Sequence, residues 1–212
     1  MKLCYSPGAC SLATHIVLEW IGKPYETHQV KIHPDKSPEL LKANPMGAVP
    51  VIEENGWVLT QNSAILNYLA DCNPEAKLGG DGTPKGRAEV NHWLGFVNSD
   101  VHPAYKPLFG TTGYLHDKKM IEKSHQDARA RLRKHFEIVD KQLQGRDWIA
   151  GTRSIADPYL FVMIRWAKGQ KVDLSGLANV ERFFKHMEAD TGVRKVLEQE
   201  ATPEPRMERH GS

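Results

Sequence analysis

The stretch that decides the fold is Asn44-Pro-Met-Gly-Ala-Val-Pro-Val-Ile52. Its first proline and its glycine end a short helix predicted over 38–42, and its apolar second half has the composition of a strand. Glu54-Asn55-Gly56 follows as a hairpin turn signal, and Trp57 to Thr60 is predicted to be the returning strand. The stretch therefore predicts a two-stranded hairpin that the chain enters through Val49-Pro50.

The segments on either side of the hairpin alternate between strand and helix. Met1 to Tyr5 is predicted to be a first strand, and Ser11 to Ile21 has apolar residues at helical spacing, with Gly22 to end the helix. Polar and apolar residues alternate over 27–32, which predicts a second strand, and a helix is predicted over 63–71. The order strand, helix, strand, helix, hairpin, helix is typical of a thioredoxin-like layer.

The rest of the chain has helical periodicity only. The segment Leu-Gly-Gly-Asp-Gly-Thr-Pro-Lys-Gly, residues 78–86, is the most linker-like in the sequence. Helices are predicted, in chain order, over 90–103, 117–143, 158–167, 180–189 and 193–200. The predicted fold class is α/β plus all-α. It comprises a thioredoxin-like domain over 1–78, a linker over 79–86, an all-helical domain over 87–200 and a disordered tail over 201–212.

The composition limits the classes of function. The 212 residues are 40% hydrophobic, which can fill a sizeable core, and 28 Lys and Arg against 26 Asp and Glu give a net charge of only +2. So small a charge disfavours a dedicated nucleic-acid binder or a protein held on anionic membranes. No apolar run approaches the roughly 20 residues that span a bilayer, and no signal peptide opens the chain, so we expect a soluble cytoplasmic protein.

The cysteines and histidines form no metal or disulfide pattern. Cys4, Cys10 and Cys72 are an odd number with no Cys-x-x-Cys pair, and the ten histidines are scattered without an HExxH motif. We therefore expect no metal ion and no disulfide framework, and we interpret Cys4 and Cys72 as structural.

Three N-terminal features could carry chemistry, and each also has a structural explanation. Cys10 is predicted at the start of the first helix, where free N–H groups and the helix dipole favour a thiolate, although many free cysteines are simply buried side chains. Val49-Pro50 is either an edge proline or a cis peptide that turns the Val49 backbone towards a peptide-like ligand. Gln61-Asn62-Ser63 is either an ordinary N-cap or a carboxylate-binding corner.

These three features are expected to meet at one end of a thioredoxin-like sheet. A ligand there would find a site that favours a thiolate, a strip of free backbone and an anion pocket, and a thiol tripeptide suits all three. Ala13 stands three residues after Cys10, so the dithiol mechanism of thioredoxins is excluded.

Four segments resemble the glutathione transferases, most closely their bacterial beta class. They are Met1-Lys-Leu-Cys-Tyr-Ser-Pro-Gly-Ala-Cys-Ser-Leu12, the stretch from Asn44 to Ile52, Leu59-Thr-Gln-Asn-Ser-Ala-Ile65 with Tyr68-Leu-Ala-Asp71, and Ser154-Ile-Ala-Asp-Pro-Tyr-Leu-Phe161. The likeness extends from residue 1 to about residue 197. It implies the glutathione transferase fold, a homodimer, and reduced glutathione as co-substrate.

The resemblance also implies which residues meet the glutathione sulfur. Cys10 would contact the sulfur and can form a mixed disulfide with it. Ser11 is the preferred hydroxyl donor, with Tyr5 and Ser6 as alternatives, and His102 would reach the sulfur from the helical domain.

Further positions match residues that bind the rest of the tripeptide. Val49, followed by Pro50, would pair with the cysteinyl backbone, and Gln61 and Asn62 would hold the γ-glutamyl amino and carboxylate groups. Lys36 is the nearest lysine for the glycine carboxylate.

One matching residue belongs to the dimer, and several positions depart from the family pattern. Asp100 matches an acidic residue that the class uses across the dimer interface. Gly95 stands where an Asn is common, Gln61 where a Glu is usual, and Pro158 where a small residue is usual. Asp35 falls where the lysine of this loop is expected, next to Lys36.

Two spacings in the helical half add to this prediction. Gly95, Asn98 and His102 lie at i, i+3 and i+7, on one helix face that could line the cleft between the domains. Ser154-x-x-Asp157 predicts a capping box, which is structural, with the Ser side chain bonded to the Asp157 N–H and the carboxylate reaching back.

The predicted function is a detoxification-type glutathione transferase that directs the thiol or thiolate of glutathione at a hydrophobic electrophile. That electrophile would rest near Tyr105, Leu108, Phe109 and Trp166. The alternatives are thiol transfer, peroxide reduction, dehalogenation or isomerisation through a Cys10 mixed disulfide, and a non-catalytic glutathione-binding stress protein.

Overall fold

A four-stranded sheet with three helices forms the first part of the fold. The computed structural model describes residues 1–33 and 35–202. The N-terminal elements are β1 (Lys2–Tyr5), α1 (Ser11–Ile21), β2 (Glu26–Gln29), α2 (Pro38–Ala43), β3 (Val51–Glu54), β4 (Trp57–Thr60) and α3 (Asn62–Cys72). The predicted order of strands and helices is confirmed.

The sheet topology brings separate loops to one end. The strand order is β2-β1-β3-β4, with β1 parallel to β2 and antiparallel to β3. Cys4, near the end of β1, therefore pairs with Val51 at the start of β3. The loop that leaves β1 and the segment that enters β3 lie side by side as a result.

Up to residue 202, where the description ends, the regular elements of the second part of the fold are all helical. They are α4 (Pro84–Phe96), α5 (His102–Ala104), α6 (Lys118–Gln142), α7 (Ala156–Gly169), α8 (Ala178–Ala189) and α9 (Thr191–Ala201). Segment 77–83, between the two parts, contains neither helix nor strand.

One hydrophobic core joins the two parts, and α7 lies at its centre. The α1 helix packs against both α7 and α9, so Leu12 and Ile16 share a core with Phe161 and Met163. The burial of α7 on nearly every side explains why its sequence is apolar all round. No helix in the described ranges is long and apolar enough to cross a membrane.

The helix before His102 differs from the prediction. A continuous helix up to Pro103 is expected from the sequence, but a π-helical turn over Val97–Val101 separates α4 from α5. Pro103 has no N–H to bond to the carbonyl four residues earlier, which explains why the α-helical pattern is interrupted here. The turn lies immediately before a predicted site residue, where such turns are frequently found.

The ends of several elements also differ from the prediction. β2 ends at Gln29 rather than at 32, and β3 begins at Val51, after the proline. α9 extends to Ala201, one residue into the predicted tail, and residues 203–212 lie outside the described residues.

The predicted capping box is correct in outline and different in detail. Asp157 Oδ2 accepts from Ser154 N at 2.8 Å, so the carboxylate reaches back as expected. The Ser154 hydroxyl, however, donates to the same oxygen at 2.9 Å and accepts from Ala156 N, instead of capping Asp157 N. Asp157 Oδ1 also accepts from Ile149 N at 2.9 Å, so the buried carboxylate fixes the chain before α7.

Candidate active site

A single cavity contains most of the predicted site residues. It has a volume of about 760 Å³ and lies between the sheet end and the segment after α4. Seven of the nine predicted residues line it: Cys10, Lys36, Val49, Pro50, Gln61, Asn62 and His102. Ser11 and Asp100 do not.

The Cys10 thiol is half-buried at the start of α1, and it donates to the Val49 carbonyl at 3.2 Å. Burial raises the pKa of Cys10 to about 12 and outweighs the N–H groups of Cys10 and Ser11, which lower it. The predicted effect of the helix terminus is present, but burial is the larger effect on the pKa of Cys10. At neutral pH Cys10 is a thiol.

The Val49-Pro50 peptide is cis, as one of the two explanations requires, and pairing of the Val49 backbone with a ligand stays a prediction. The edge explanation is wrong, because β3 lies between β1 and β4. The Val49 carbonyl faces the Cys10 thiol. Over the residues that the structure describes, the Val49 N–H has no hydrogen-bond partner and is available to a ligand.

The start of α3 is held against the start of α1. Asn62 Nδ2 donates to the Cys10 carbonyl at 3.1 Å, and Asn62 Oδ1 accepts from the Thr14 hydroxyl at 2.8 Å. Gln61 takes the N-cap position of α3, and its carbonyl accepts from Ile65 N at 2.9 Å, but its side chain makes no cap bond to any residue that the structure describes. Its φ of 73° is a left-handed conformation that costs a non-glycine residue about 1 kcal/mol or more, and such residues are often found at functional sites.

The Ser11 hydroxyl has a structural role. The side chain is fully buried, and its oxygen accepts from Ser6 N at 3.2 Å and donates to Ser6 O at 3.3 Å. These bonds close the loop between β1 and α1. They give no support to the prediction that Ser11 donates to a bound sulfur.

Two helices from the other part of the fold hold the loop before Cys10. Gly8 N donates to Glu200 Oε2 at 2.9 Å, and Gly8 O accepts from Trp166 Nε1 at 2.8 Å. The other Glu200 oxygen lies 3.0 Å from His15 Nδ1, and both of these side chains are buried. Sequence reasoning missed this contact, because Glu200 follows Gly8 by 192 residues and no local pattern connects them.

His102 is held by a tyrosine that sequence reasoning also missed. Its Nδ1 lies 2.6 Å from the Tyr159 hydroxyl, which is itself 3.3 Å from Asn98 Oδ1. The Tyr159 hydroxyl donates to Asn98 Oδ1, so the hydrogen of its contact with His102 lies on Nδ1, and Nε2 of the neutral ring is left as an acceptor. The only signal for Tyr159 in the sequence is a hydroxyl in a helix that is otherwise almost entirely apolar.

The His102 ring is neutral at physiological pH. Burial, followed by the positive charge of Lys106, lowers its pKa from 6.5 to about 4. Asn98 and His102 both line the cavity, as their predicted helix face suggests, whereas Gly95 does not.

The predicted electrophile pocket is present in part. Phe109 and Trp166 line the cavity and meet edge to face, with ring centroids 4.9 Å apart. Tyr105 and Leu108 do not line it. Tyr105 is fully buried behind the wall and stacks on Phe109 at 5.8 Å, so it supports the pocket from behind.

The two remaining charged residues have different positions. Lys36 lines the rim, and its Nζ donates to the Met46 carbonyl at 2.8 Å. Gly47 leaves room for this side chain, because a Cβ at that position would overlap Lys36. Asp100 is exposed on the π-helical turn, outside the cavity.

The arrangement brings together a thiol, a neutral imidazole and free backbone groups in one partly apolar cavity. Nowhere in residues 1–33 and 35–202 do three His, Cys, Asp or Glu side chains group to hold a metal ion. The predicted absence of a metal stays a prediction.

Comparisons with known proteins identify the family. The models of the glutathione S-transferase N-terminal and C-terminal domains match residues 2–71 and 104–190. Glutathione S-transferase GST-4.5 of Xanthomonas campestris pv. campestris is 53% identical over 201 residues, which cover 94% of this chain and 98% of that protein.

Similar solved structures belong to the same family. The glutathione-S-transferase from Xylella fastidiosa has a TM-score of 0.91 at 48% identity, over 95% of this chain and 99% of that one. A sphingomonad glutathione S-transferase complexed with glutathione has a TM-score of 0.85 at 32% sequence identity, and the match covers 96% of this chain and 100% of that one. A bacterial beta class glutathione S-transferase from Sphingomonas chungbukensis has a TM-score of 0.84 at 33% sequence identity, and the match covers 94% of this chain and 98% of that one.

The chain therefore belongs to the glutathione S-transferase family. It is a glutathione transferase with a thioredoxin-like N-terminal domain and a helical C-terminal domain, and the resemblance to the bacterial beta class is confirmed.

Proposed function

We propose that the cavity binds reduced glutathione with its sulfur between Cys10 and His102 and conjugates it to hydrophobic electrophiles in a detoxification role. The observation that carries this proposal is the convergence of three features on one cavity: the Cys10 thiol, the Val49 N–H, which has no hydrogen-bond partner within the described ranges, and the first turn of α3. A sphingomonad relative of the same fold has been solved in complex with glutathione, which supports the choice of ligand.

The cavity offers a complementary group to each part of the tripeptide. The cysteinyl backbone would pair with the Val49 N–H, and the γ-glutamyl carboxylate would take the N–H groups at the start of α3, beside Gln61. The Asn62 side chain is already bonded to Cys10 and Thr14, so this residue would contribute through its backbone. Lys36, on the opposite rim, is the cation for the glycine carboxylate.

His102 and Cys10 are the two residues that would favour the ionised form of the glutathione thiol. His102 Nε2, an acceptor in the neutral ring that Tyr159 orients, would accept a hydrogen bond from the glutathione thiol as it ionises. The Cys10 S–H would turn from the Val49 carbonyl and donate to the thiolate. Lowering a thiol pKa from about 8.5 to about 7 raises the anion from a few per cent to about half at neutral pH. The thiolate then attacks an electrophilic carbon. For an aryl chloride the sulfur–carbon bond forms, chloride leaves with the electron pair, and the thiol proton passes to solvent.

The partners and the setting complete the proposal. The electrophile would lie against Phe109 and Trp166. The enzyme would act in the cytoplasm as a homodimer without a metal, and the exposed Asp100 would contribute across the dimer interface.

Purified protein assayed with glutathione and a chlorinated nitroaromatic, and then with a glutathione mixed disulfide, tests the main activity. Conjugation should be the faster reaction, because Cys10 is a thiol at neutral pH and thiols attack disulfides only as thiolates. Failure to conjugate any of a panel that includes both neutral and anionic electrophiles would contradict the proposal.

Thiol transfer is the second candidate, and the position of Cys10 on the cavity wall favours it. The Cys10 thiolate would attack the mixed disulfide, release the other thiol and become linked to glutathione. A second glutathione would then attack this bond, which releases glutathione disulfide and restores the Cys10 thiol. Cys10→Ala separates the two reactions, because conjugation needs no protein thiol and thiol transfer does.

A further inference from the structure

The electrophile side of the cavity carries a positive charge that no acidic side chain among the described residues balances. Lys106 lines the cavity with Phe109 and Trp166, and none of the described residues that line it is an aspartate or a glutamate. Within the part of the chain that the structure describes, Lys106 forms no ion pair. An ammonium group beside an aromatic wall is therefore available to a ligand.

Lys106 is distinct from the cation at the other rim. Lys36 lies with Met46 and Gly47, and its ammonium group donates to the Met46 carbonyl. Lys106 follows His102 by one helical turn, and its charge contributes to the low pKa of that ring. The Lys106 charge thus acts at the end of the cavity where the reaction takes place.

A second groove extends the positive charge beyond Lys106. It has a volume of about 800 Å³ and shares Pro103 and Lys106 with the first cavity. Lys119, Lys123 and Arg131 line it, and its one acidic residue among those described, Asp127, is paired with Lys123. Several cations along one groove raise the local concentration of anions.

We infer that the electrophiles of this enzyme are aromatic or conjugated compounds that carry a carboxylate or a sulfonate, which Lys106 binds. The ring of the electrophile packs against Phe109 and Trp166, and its anionic group faces the ammonium group. The inference rests on the proposed function, because it names the class of the second substrate in the same cavity.

A matched pair of substrates tests this inference. The values of kcat/KM are measured for 4-chloro-3,5-dinitrobenzoate and for its neutral amide, and each is divided by the rate of the uncatalysed reaction with glutathione. We expect the anion to be preferred about fivefold at low salt, since a solvent-accessible ion pair supplies no more than that. The preference should decline as salt is added.

Three variants locate the charge. Lys106→Met should reduce the ratio of anion to amide to about one, and Lys106→Arg should retain it. Lys85→Met removes the same charge from an exposed position outside both grooves and should leave the ratio and the activity unchanged.

The outcomes separate the two proposals. Conjugation of the amide with no preference for the anion would overturn the inference and leave the proposed function standing. A preference that survives in Lys106→Met would also overturn it. Absence of conjugation with both substrates would contradict the proposed function itself.

Discussion

The contact between Glu200 and Gly8 makes the loop before Cys10 depend on the last described helix, and Glu200→Gln tests that dependence. Glu200 accepts from Gly8 N at 2.9 Å through one carboxylate oxygen and lies 3.0 Å from His15 Nδ1 through the other. A glutamine has the same shape but only one acceptor oxygen. It can satisfy the Gly8 N–H or the His15 N–H, and the amide NH₂ must face the other.

The magnitude follows from the buried group that loses its partner. An unsatisfied buried donor costs about 1–3 kcal/mol, so we expect the free energy of unfolding to fall by about 2 kcal/mol. A change of 1 kcal/mol shifts Tm by about 2–4 °C in a chain of this size, which gives a decrease of about 4–8 °C. His15 cannot relieve the loss by moving its proton, because its Nε2 is buried without a partner among the described residues.

The assay pairs thermal unfolding with kinetics well below Tm. Glu198→Gln is the control, because it removes the same charge from an exposed position on the same helix. If Glu200 positions the Cys10 loop, kcat/KM for glutathione in Glu200→Gln should fall about tenfold, since displacements of about 1 Å can cost up to a hundredfold. Equal Tm values in the two variants, or normal kinetics in a destabilised Glu200→Gln, would refute the reasoning.

Three other changes give expected results. Cys10→Ala should abolish thiol transfer from a glutathione mixed disulfide and leave at least a tenth of the conjugation rate; loss of both would make Cys10 essential to conjugation. Burial holds the His102 pKa near 4, below the 6.5 of an ordinary histidine, so the unfolded chain takes up the proton first. As the pH falls from 6.5 to 4, the wild type should therefore lose stability relative to His102→Asn in urea titrations; parallel curves would contradict this. Asp157→Ala leaves the N–H groups of Ile149 and Ser154 without an acceptor, and it should lower the free energy of unfolding by about 4 kcal/mol. The control Ser154→Ala should lower it by about 1 kcal/mol.

Local signals predicted the elements that depend on neighbours in sequence. α1 begins at Ser11 and ends at Ile21 as predicted, because Gly22 takes a φ of 74°, where glycine is favoured. The hairpin that returns through β4, Trp57–Thr60, was predictable for the same reason. Cys10, Val49, Pro50, Gln61 and Asn62 were predictable because the sheet topology brings three segments together, and that topology follows from the order of the elements. The roles of Lys36 and His102 were predicted from the family resemblance alone.

Long-range packing decided what the sequence could not show. The helix terminus at Cys10 is a local feature that favours a thiolate, but burial in the folded protein determines the pKa of the thiol. The same holds for the Tyr159 hydroxyl and the Glu200 carboxylate. Each acts on a residue more than fifty positions away, so no spacing in the sequence identifies them.

The central claim is that one cavity holds glutathione with its sulfur between the two domains. A crystal structure of the complex tests this most directly. We predict the sulfur within hydrogen-bonding reach of Cys10 Sγ and His102 Nε2, and the γ-glutamyl carboxylate at the first turn of α3. A tripeptide bound elsewhere, or one whose sulfur points away from both side chains, would contradict the account.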